Sequence, residues 1–148
     1  MAKIGLIGGS GLGDALGGEQ GTRTTIDTPF GAPSSDLIET SWSGRDIVIL
    51  QRHSDGHTTP PSMVNYRANI YALKAAGCTH VISSGAVGSL REDIAPKHLV
   101  IPDQIIDKTT RRVGTFFDSM AVHIEFASPF CGALREHLIS CADAVDTT

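Results

Sequence analysis

The sequence lacks the features of several protein classes. Its 12 basic residues are outnumbered by 16 acidic ones, giving a formal charge of −4, and no basic stripe stands out. A general nucleic-acid binder is therefore not expected. The apolar runs are only a few residues long, far below the roughly 20 that span a bilayer, so no membrane anchor is predicted. Residues 1–5 lead straight into a strand-like segment and leave no room for a secretory signal.

Cysteine is scarce and irregularly placed. Cys78, Cys131 and Cys141 are odd in number and widely spaced, whereas a zinc site needs ligands closer together along the chain. We predict three buried, reduced thiols in a cytoplasmic protein. His53 and His57 have an H-x-x-x-H spacing, but they lie in a loop that contains a glycine rather than on a helix face. No metal site is therefore predicted.

The remaining composition is that of an ordinary folded domain. With 148 residues, 41% of them apolar and 19% charged, the chain has room for one domain with its own core. Helices are predicted from Ser62 to about Ala76 and after a Ser128 N-cap with Pro129 in the first turn. The predicted strands are Lys3–Ile7, Thr24–Asp27, Leu37–Trp42, Arg45–Leu50, His80–Ser84 and Leu99–Ile106. This alternation predicts an α/β fold with a mixed, mostly parallel central sheet flanked by helices.

Glycine-rich or polar loops follow predicted strands at residues 8–13, 52–57 and 83–89. In α/β sheets, ligands bind at loops beyond the carboxyl ends of the strands. Backbone amides in glycine turns attract anions, and Ser10 adds a hydroxyl. Arg52, directly after a strand and beside His53, could hold an oxyanion with two parallel hydrogen bonds. The residues therefore suggest an anion site, while tight turns with a solvated Arg52 stay the alternative.

The first glycine loop does not predict a dinucleotide site, although Asp27 could serve as the acidic residue for a ribose. The order G-G-S-G-L-G differs from G-x-G-x-x-G. The following stretch contains Gly17, Gly18 and Gly21, and each internal glycine costs a helix about 1 kcal/mol. A packed crossover helix is not expected there.

A series of segments over nearly the whole chain carries a resemblance to a known family. The segments are Ile4–Leu12, Asp27–Ser34, Arg52–His53 with His57, Val64–Ile70, Gly77–Ile82, Gly88–Glu92, Asp103–Thr109 and Phe116–Asp118. In this order and spacing they resemble the methylthioadenosine phosphorylase group of the trimeric purine nucleoside phosphorylases. Such a series is far more specific than a single glycine motif.

The resemblance implies phosphorolysis, in which inorganic phosphate attacks the anomeric carbon of a nucleoside and the purine base leaves. Phosphate is then a co-substrate, and neither a metal nor an organic cofactor takes part. The family's phosphate-binding positions fall here on Ser10, Arg52 and His53 and on the amides of Gly85 and Ala86. Family members usually carry threonine where this chain has Gly85, so one hydroxyl contact is missing while the backbone amide is kept.

The resemblance also implies a homotrimer, because His123 matches a histidine that reaches the 5′ end of the nucleoside in a neighbouring subunit. Family chains are about twice this long, and the aspartate that protonates the leaving purine would lie beyond residue 148. No acidic residue here is assigned that role. We therefore expect the N-terminal part of a single phosphorylase domain. Alone it should be inactive, bind phosphate weakly at best, and expose part of an unfinished core.

Substrate identity is only partly readable from the sequence. Gly88–Glu92 favours 5′-methylthioadenosine, which would give adenine and 5-methylthioribose 1-phosphate in purine and methionine salvage. Ser83–Val87 and residues 123–126 resemble relatives that act on 6-oxopurine nucleosides or methylthioinosine, which are the alternative substrates. A truncated, non-catalytic phosphate-binding domain is the alternative from another functional class.

Overall fold

The computed structural model describes residues 2–9, 11–15 and 20–145, and the chain divides into two compact units, Met1–Ala86 and Val87–Thr148. The helices and strands of the first unit are β1 (Ile4–Gly8), α1 (Leu12–Ala15), β2 (Thr22–Thr24), β3 (Leu37–Trp42), β4 (Arg45–Gln51), α2 (Tyr66–Ala75) and β5 (His80–Ser83). Short 3-10 turns lie at Asp55–His57 and Pro61–Met63. The second unit contains α3 (Gly132–Ala144).

The first unit is built on a five-stranded sheet with the order β2-β3-β4-β1-β5. β1 pairs in parallel with β4 and β5, whereas β2, β3 and β4 pair antiparallel, so parallel and antiparallel pairings are equally frequent among the described strands. Ser43 and Gly44 join β3 to β4 with positive φ angles of 49° and 72°, as a two-residue hairpin turn requires. The predicted α/β fold with a mixed sheet is confirmed.

The core lies on both faces of the central strands. β4 alternates, so that Val48 and Leu50 pack with Leu73 of α2, whereas Ile47 and Ile49 pack with Ile38 on the other face. Residues 47–50 of β4 are all apolar and buried, as expected for a strand that is covered on both faces.

Glycine at position 5 lets α2 approach β1. A Cβ at Gly5 would lie 3.2 Å from Leu73 Cδ2 and 3.3 Å from Cys78 Sγ, closer than most Cβ contacts. Because Gly5 has no side chain, β1 and α2 can pack closer together than they could with any other residue at this position.

β2 and α2 differ from the sequence prediction by more than one residue at a boundary, whereas β1, β4 and β5 differ by one at most. β2 is Thr22–Thr24 rather than Thr24–Asp27. α2 begins at Tyr66 instead of Ser62, because the Asn65 side chain accepts a hydrogen bond from the Ala68 N–H at 3.2 Å and acts as the N-cap. A polar side chain that can cap the helix therefore decides its start more than the apolar spacing does.

The second unit has no strand among its described residues, so the predicted strand Leu99–Ile106 is wrong. Its apolar, β-branched composition suits a strand, but an extended segment becomes one only when another strand accepts its backbone hydrogen bonds. No described strand pairs with it.

The predicted start of the last helix and the predicted burial of two thiols are also wrong. α3 begins at Gly132 with Cys131 at the N-cap, and Ser128 and Pro129 precede it. A Ser-Pro pair suits both a helix start and the turn before one, and here it belongs to the latter. Cys131 and Cys141 are exposed and only Cys78 is buried, since no residue of α3 reaches the burial of the core.

No helix in the described part of the chain has the length and hydrophobicity needed to cross a bilayer.

Candidate anion-binding site

The carboxyl ends of three neighbouring strands meet at one edge of the sheet. The register places Gly8 of β1 beside Gln51 of β4, and Ile7 of β1 beside Ser83 of β5. The next residues continue this pairing, because the Arg52 N–H donates to the Gly8 carbonyl at 3.0 Å and the Ser84 N–H donates to the Ile7 carbonyl at 2.9 Å. The loops that follow β1, β4 and β5 therefore begin side by side, as the sequence predicted.

Arg52 connects these three strand ends. Its backbone is bonded to β1, and its guanidinium reaches to β5, where Nη1 donates to the Ser83 Oγ at 3.4 Å. A Cβ placed on Gly85 would lie 3.4 Å from Nη2, so the guanidinium also lies against the turn after β5. No carboxylate among the described residues forms an ion pair with Arg52. A half-buried cation is thus available for an external anion.

His53 is oriented by a backbone carbonyl. Its Nδ1 lies 2.8 Å from the Thr59 carbonyl oxygen, and since a carbonyl only accepts, Nδ1 carries the hydrogen of this bond. In the neutral ring Nε2 is then an acceptor, and the Arg52 Nε–H donates to it at 3.4 Å. The ring of His57 lies beside that of His53 with the ring centres 4.6 Å apart.

The loop that carries His53 is closed by its own polar groups. The Thr59 N–H donates to the His53 carbonyl at 3.0 Å, and the hydroxyls of Ser54 and Thr59 lie 2.5 Å apart. Ser54 adopts a φ of 68°, which a side chain other than glycine adopts at some cost. Asp55 is paired with Arg23 at 3.2 Å, which ties the loop to β2. These contacts fix the direction of the His53 ring.

Glycine is required where the first loop begins. A Cβ on Gly8 would lie 2.6 Å from Cδ2 of Leu12, so no side chain fits beneath the start of α1. Gly11, with a φ of 95°, supplies the left-handed conformation in the turn itself. The loop can therefore return close to the strand end that carries the Arg52 contact.

The structure brings together some of the predicted site residues. Arg52, His53 and Gly85 lie at the same edge, and Ala86 follows Gly85 in an exposed segment. Ser10 lies outside the described residues. His123 is exposed and belongs to the unit Val87–Thr148. Within the described residues, no group of three or more His, Cys, Asp or Glu side chains is placed to hold a metal ion.

Sequence reasoning missed Ser83, Thr59 and Arg23. The sequence places Ser83 at a strand end and in a segment that resembles relatives with other substrates, but assigns it no contact, yet its hydroxyl contacts Arg52. Thr59 acts through its backbone carbonyl, for which residue type gives no signal. The partner of Arg23 depends on the register of β2. None of these three contacts follows from residue type alone, because each depends on the path of the backbone or on strand register.

Comparison with known proteins gives one family and a consistent group of relatives. The family model described as the phosphorylase superfamily matches residues 3–147. S-methyl-5′-thioadenosine phosphorylase from Anopheles gambiae is 51% identical over 97% of this chain and 53% of its own length. The protein of the same name from Geobacter sulfurreducens is 46% identical over 98% of this chain and 51% of its own.

Solved structures agree in fold. Methylthioadenosine phosphorylase from Schistosoma mansoni in complex with tubercidin is similar with a TM-score of 0.91 and 41% identity, covering 99% of this chain and 53% of that one. The chain spans about half the length of the curated relatives it matches.

Proposed function

The chain belongs to the phosphorylase superfamily, and we propose that it takes part in the phosphorolysis of 5′-methylthioadenosine to adenine and 5-methylthioribose 1-phosphate, as the phosphate-binding part of a pentosyltransferase. Two of the relatives named above are called S-methyl-5′-thioadenosine phosphorylase, and their similarity extends over 97% and 98% of this chain. The proposal assigns the phosphate to the edge where β1, β4 and β5 end.

Arg52 is the observation that carries the proposal. Its guanidinium has no carboxylate partner among the described residues and lies against the turn that begins at Gly85. Hydrogen bonds from a guanidinium to a phosphate are charge-assisted and directional. The one lone pair of His53 Nε2 accepts from the Arg52 Nε–H at 3.4 Å, so His53 orients the guanidinium and leaves its Nη hydrogens to face an anion. This set of donors suits a phosphate.

The chemistry proposed for the site is positioning of a nucleophile. The transition state of such a reaction resembles an oxocarbenium ion, which an anion held beneath the sugar stabilises electrostatically. Arg52, His53 and the amides of Gly85 and Ala86 would hold the phosphate in place, with Ser10 adding its hydroxyl. No residue of this chain is assigned the role of protonating the leaving purine.

Further parts of the proposal concern assembly and cofactors. We assign His123 to the 5′ end of a nucleoside bound in a neighbouring subunit of a homotrimer, on the basis of the family resemblance. Phosphate is the co-substrate, with no metal or organic cofactor. A cytoplasmic location is supported by Cys78, Cys131 and Cys141, all of which are free thiols.

The test uses the natural protein, assayed for phosphate-dependent adenine release. Arg52→Ala should lower phosphate affinity and kcat/KM together by about ten- to hundredfold, because hydrogen bonds to a charged group are lost. Arg45→Ala is the matched control, since Arg45 begins the same strand and is exposed at its opposite end. If the two variants behaved alike, the proposed site would be wrong.

Substrate comparison tests the rest of the proposal. The natural protein should prefer methylthioadenosine to methylthioinosine and inosine, and equal rates for all three would contradict this choice. Phosphate binding without release of any base would instead identify a non-catalytic phosphate-binding domain.

A further inference from the structure

We propose that Ser83 is a phosphate-binding residue of this chain, and that its hydroxyl takes the place of the side chain that Gly85 lacks. The inference rests on the proposed function, because it concerns the same anion. Its basis is the contact between Ser83 and Arg52 at the end of β5.

The hydroxyl of Ser83 has a donor left for a ligand. Its Oγ accepts a hydrogen bond from the Arg52 Nη1 at 3.4 Å. A guanidinium can only donate, so this contact uses a lone pair of the hydroxyl and leaves its O–H unused. Ser83 is exposed and its hydroxyl has no other partner among the described residues. An oxyanion bound to Nη1 would therefore have a second donor beside it.

Positions 83 and 85 face the same guanidinium. A Cβ on Gly85 would lie 3.4 Å from Nη2 and 3.7 Å from Nη1 of Arg52, while the Ser83 Oγ touches Nη1. A hydroxyl at either position is thus placed beside Arg52, and this chain has it at 83 and no side chain at 85.

Ser84 provides an internal comparison. It lies between these two positions and directly follows β5. Its backbone N–H donates to the Ile7 carbonyl, and its hydroxyl has no partner among the described residues. A hydroxyl in this segment is not sufficient, since only the one at position 83 reaches Arg52.

The experiment measures the dissociation constant and KM of inorganic phosphate in the natural protein. Ser83→Ala should weaken phosphate binding by about tenfold, because one hydrogen bond to a charged ligand is lost. The KM of the nucleoside should not change. Ser83→Thr, which keeps the hydroxyl, and Ser84→Ala, the matched control, should both bind phosphate like the parent.

A double variant sharpens the test. Ser83→Ala combined with Gly85→Thr moves the hydroxyl from position 83, beside Nη1, to position 85, where a Cβ would lie nearest to Nη2. This double variant should recover most of the lost phosphate affinity. An affinity as weak as that of Ser83→Ala alone would contradict the exchange of roles between the two positions. Unchanged thermal unfolding of all variants would show that folding is not the cause.

The outcomes separate this inference from the proposed function. If Ser83→Ala binds phosphate as well as Ser84→Ala while Arg52→Ala binds it poorly, Ser83 has no role and the proposed function stands. If Arg52→Ala has no effect either, the proposed function falls as well. Equal losses in Ser83→Ala and Ser83→Thr would point to the shape of the strand end and would also overturn the assignment.

Discussion

The two units of the chain differ in what they bury. Among the described residues, every buried apolar one lies in Met1–Ala86 and none lies in Val87–Thr148. Large apolar side chains are exposed in the second unit, among them Val87, Leu90 and Ile106, with relative accessibilities of 85%, 103% and 84%. The difference shows that a similar supply of apolar residues gives a core only where a sheet gathers them.

The contrast has a direct energetic reading. Burial stabilises by about 25 cal/mol per Å² of apolar surface, and this gain must exceed the conformational entropy lost on folding. In the first unit β4 and α2 provide such burial, whereas in the second the described residues do not. The candidate anion site consists of residues at and after the ends of β1, β4 and β5, so its geometry depends on the first unit.

The largest expected difference between the units is in stability. Leu73→Ala removes a fully buried side chain from the core and should lower the free energy of unfolding by about 2–5 kcal/mol. Leu90→Ala, the same substitution in the second unit, should change it by less than about 0.5 kcal/mol because the side chain is exposed. Denaturant unfolding measures both. Equal losses would mean that Leu90 is buried in the natural protein and would break the comparison.

A smaller effect is expected from glycine substitutions. Gly8→Ala places a Cβ 2.6 Å from Leu12 Cδ2, and such overpacking should cost about 1–3 kcal/mol. Gly88→Ala is the control, because nothing lies within 4 Å of a Cβ there. The Gly88→Ala variant should have the same free energy of unfolding as the parent or a slightly higher one. A Gly8→Ala protein as stable as Gly88→Ala would show that Leu12 is packed differently.

The smallest effect leaves stability unchanged and concerns thiol reactivity. Burial raises the pKa of the Cys78 thiol, so its reactive thiolate forms at a higher pH than that of an ordinary cysteine. Cys131 and Cys141 are exposed in the second unit. Iodoacetamide followed by peptide mass spectrometry should therefore label these two first at neutral pH and Cys78 only as the pH rises. Early labelling of Cys78 would contradict the packing of β1 against α2.

Sequence patterns predicted the part of the fold that depends on neighbours close along the chain. Leu37–Trp42 matches β3 at both ends, and Arg52 lies directly after β4 as expected. The prediction of a strand at Leu99–Ile106 was wrong because a strand also needs a neighbouring strand to pair with, which composition does not reveal.

The candidate anion site was likewise predictable only where it depends on residues close along the chain. The meeting of the three loops could be predicted because each follows a β-branched segment of a largely parallel region. The contact of Ser83 with Arg52 could not, since it depends on the register that sets Ile7 of β1 beside Ser83. The contact of His53 with Thr59 depends on the positive φ of Ser54, where the sequence shows no glycine.

The proposed function requires that the loops after β1, β4 and β5 bind the same phosphate ion. A crystal structure of the natural protein with bound inorganic phosphate would show whether they do. We expect phosphate oxygens on the Arg52 guanidinium, on the Ser10 hydroxyl and on the amides of Gly85 and Ala86, with the His53 ring beside them. Phosphate bound elsewhere, or an Arg52 side chain turned away onto a carboxylate, would contradict it.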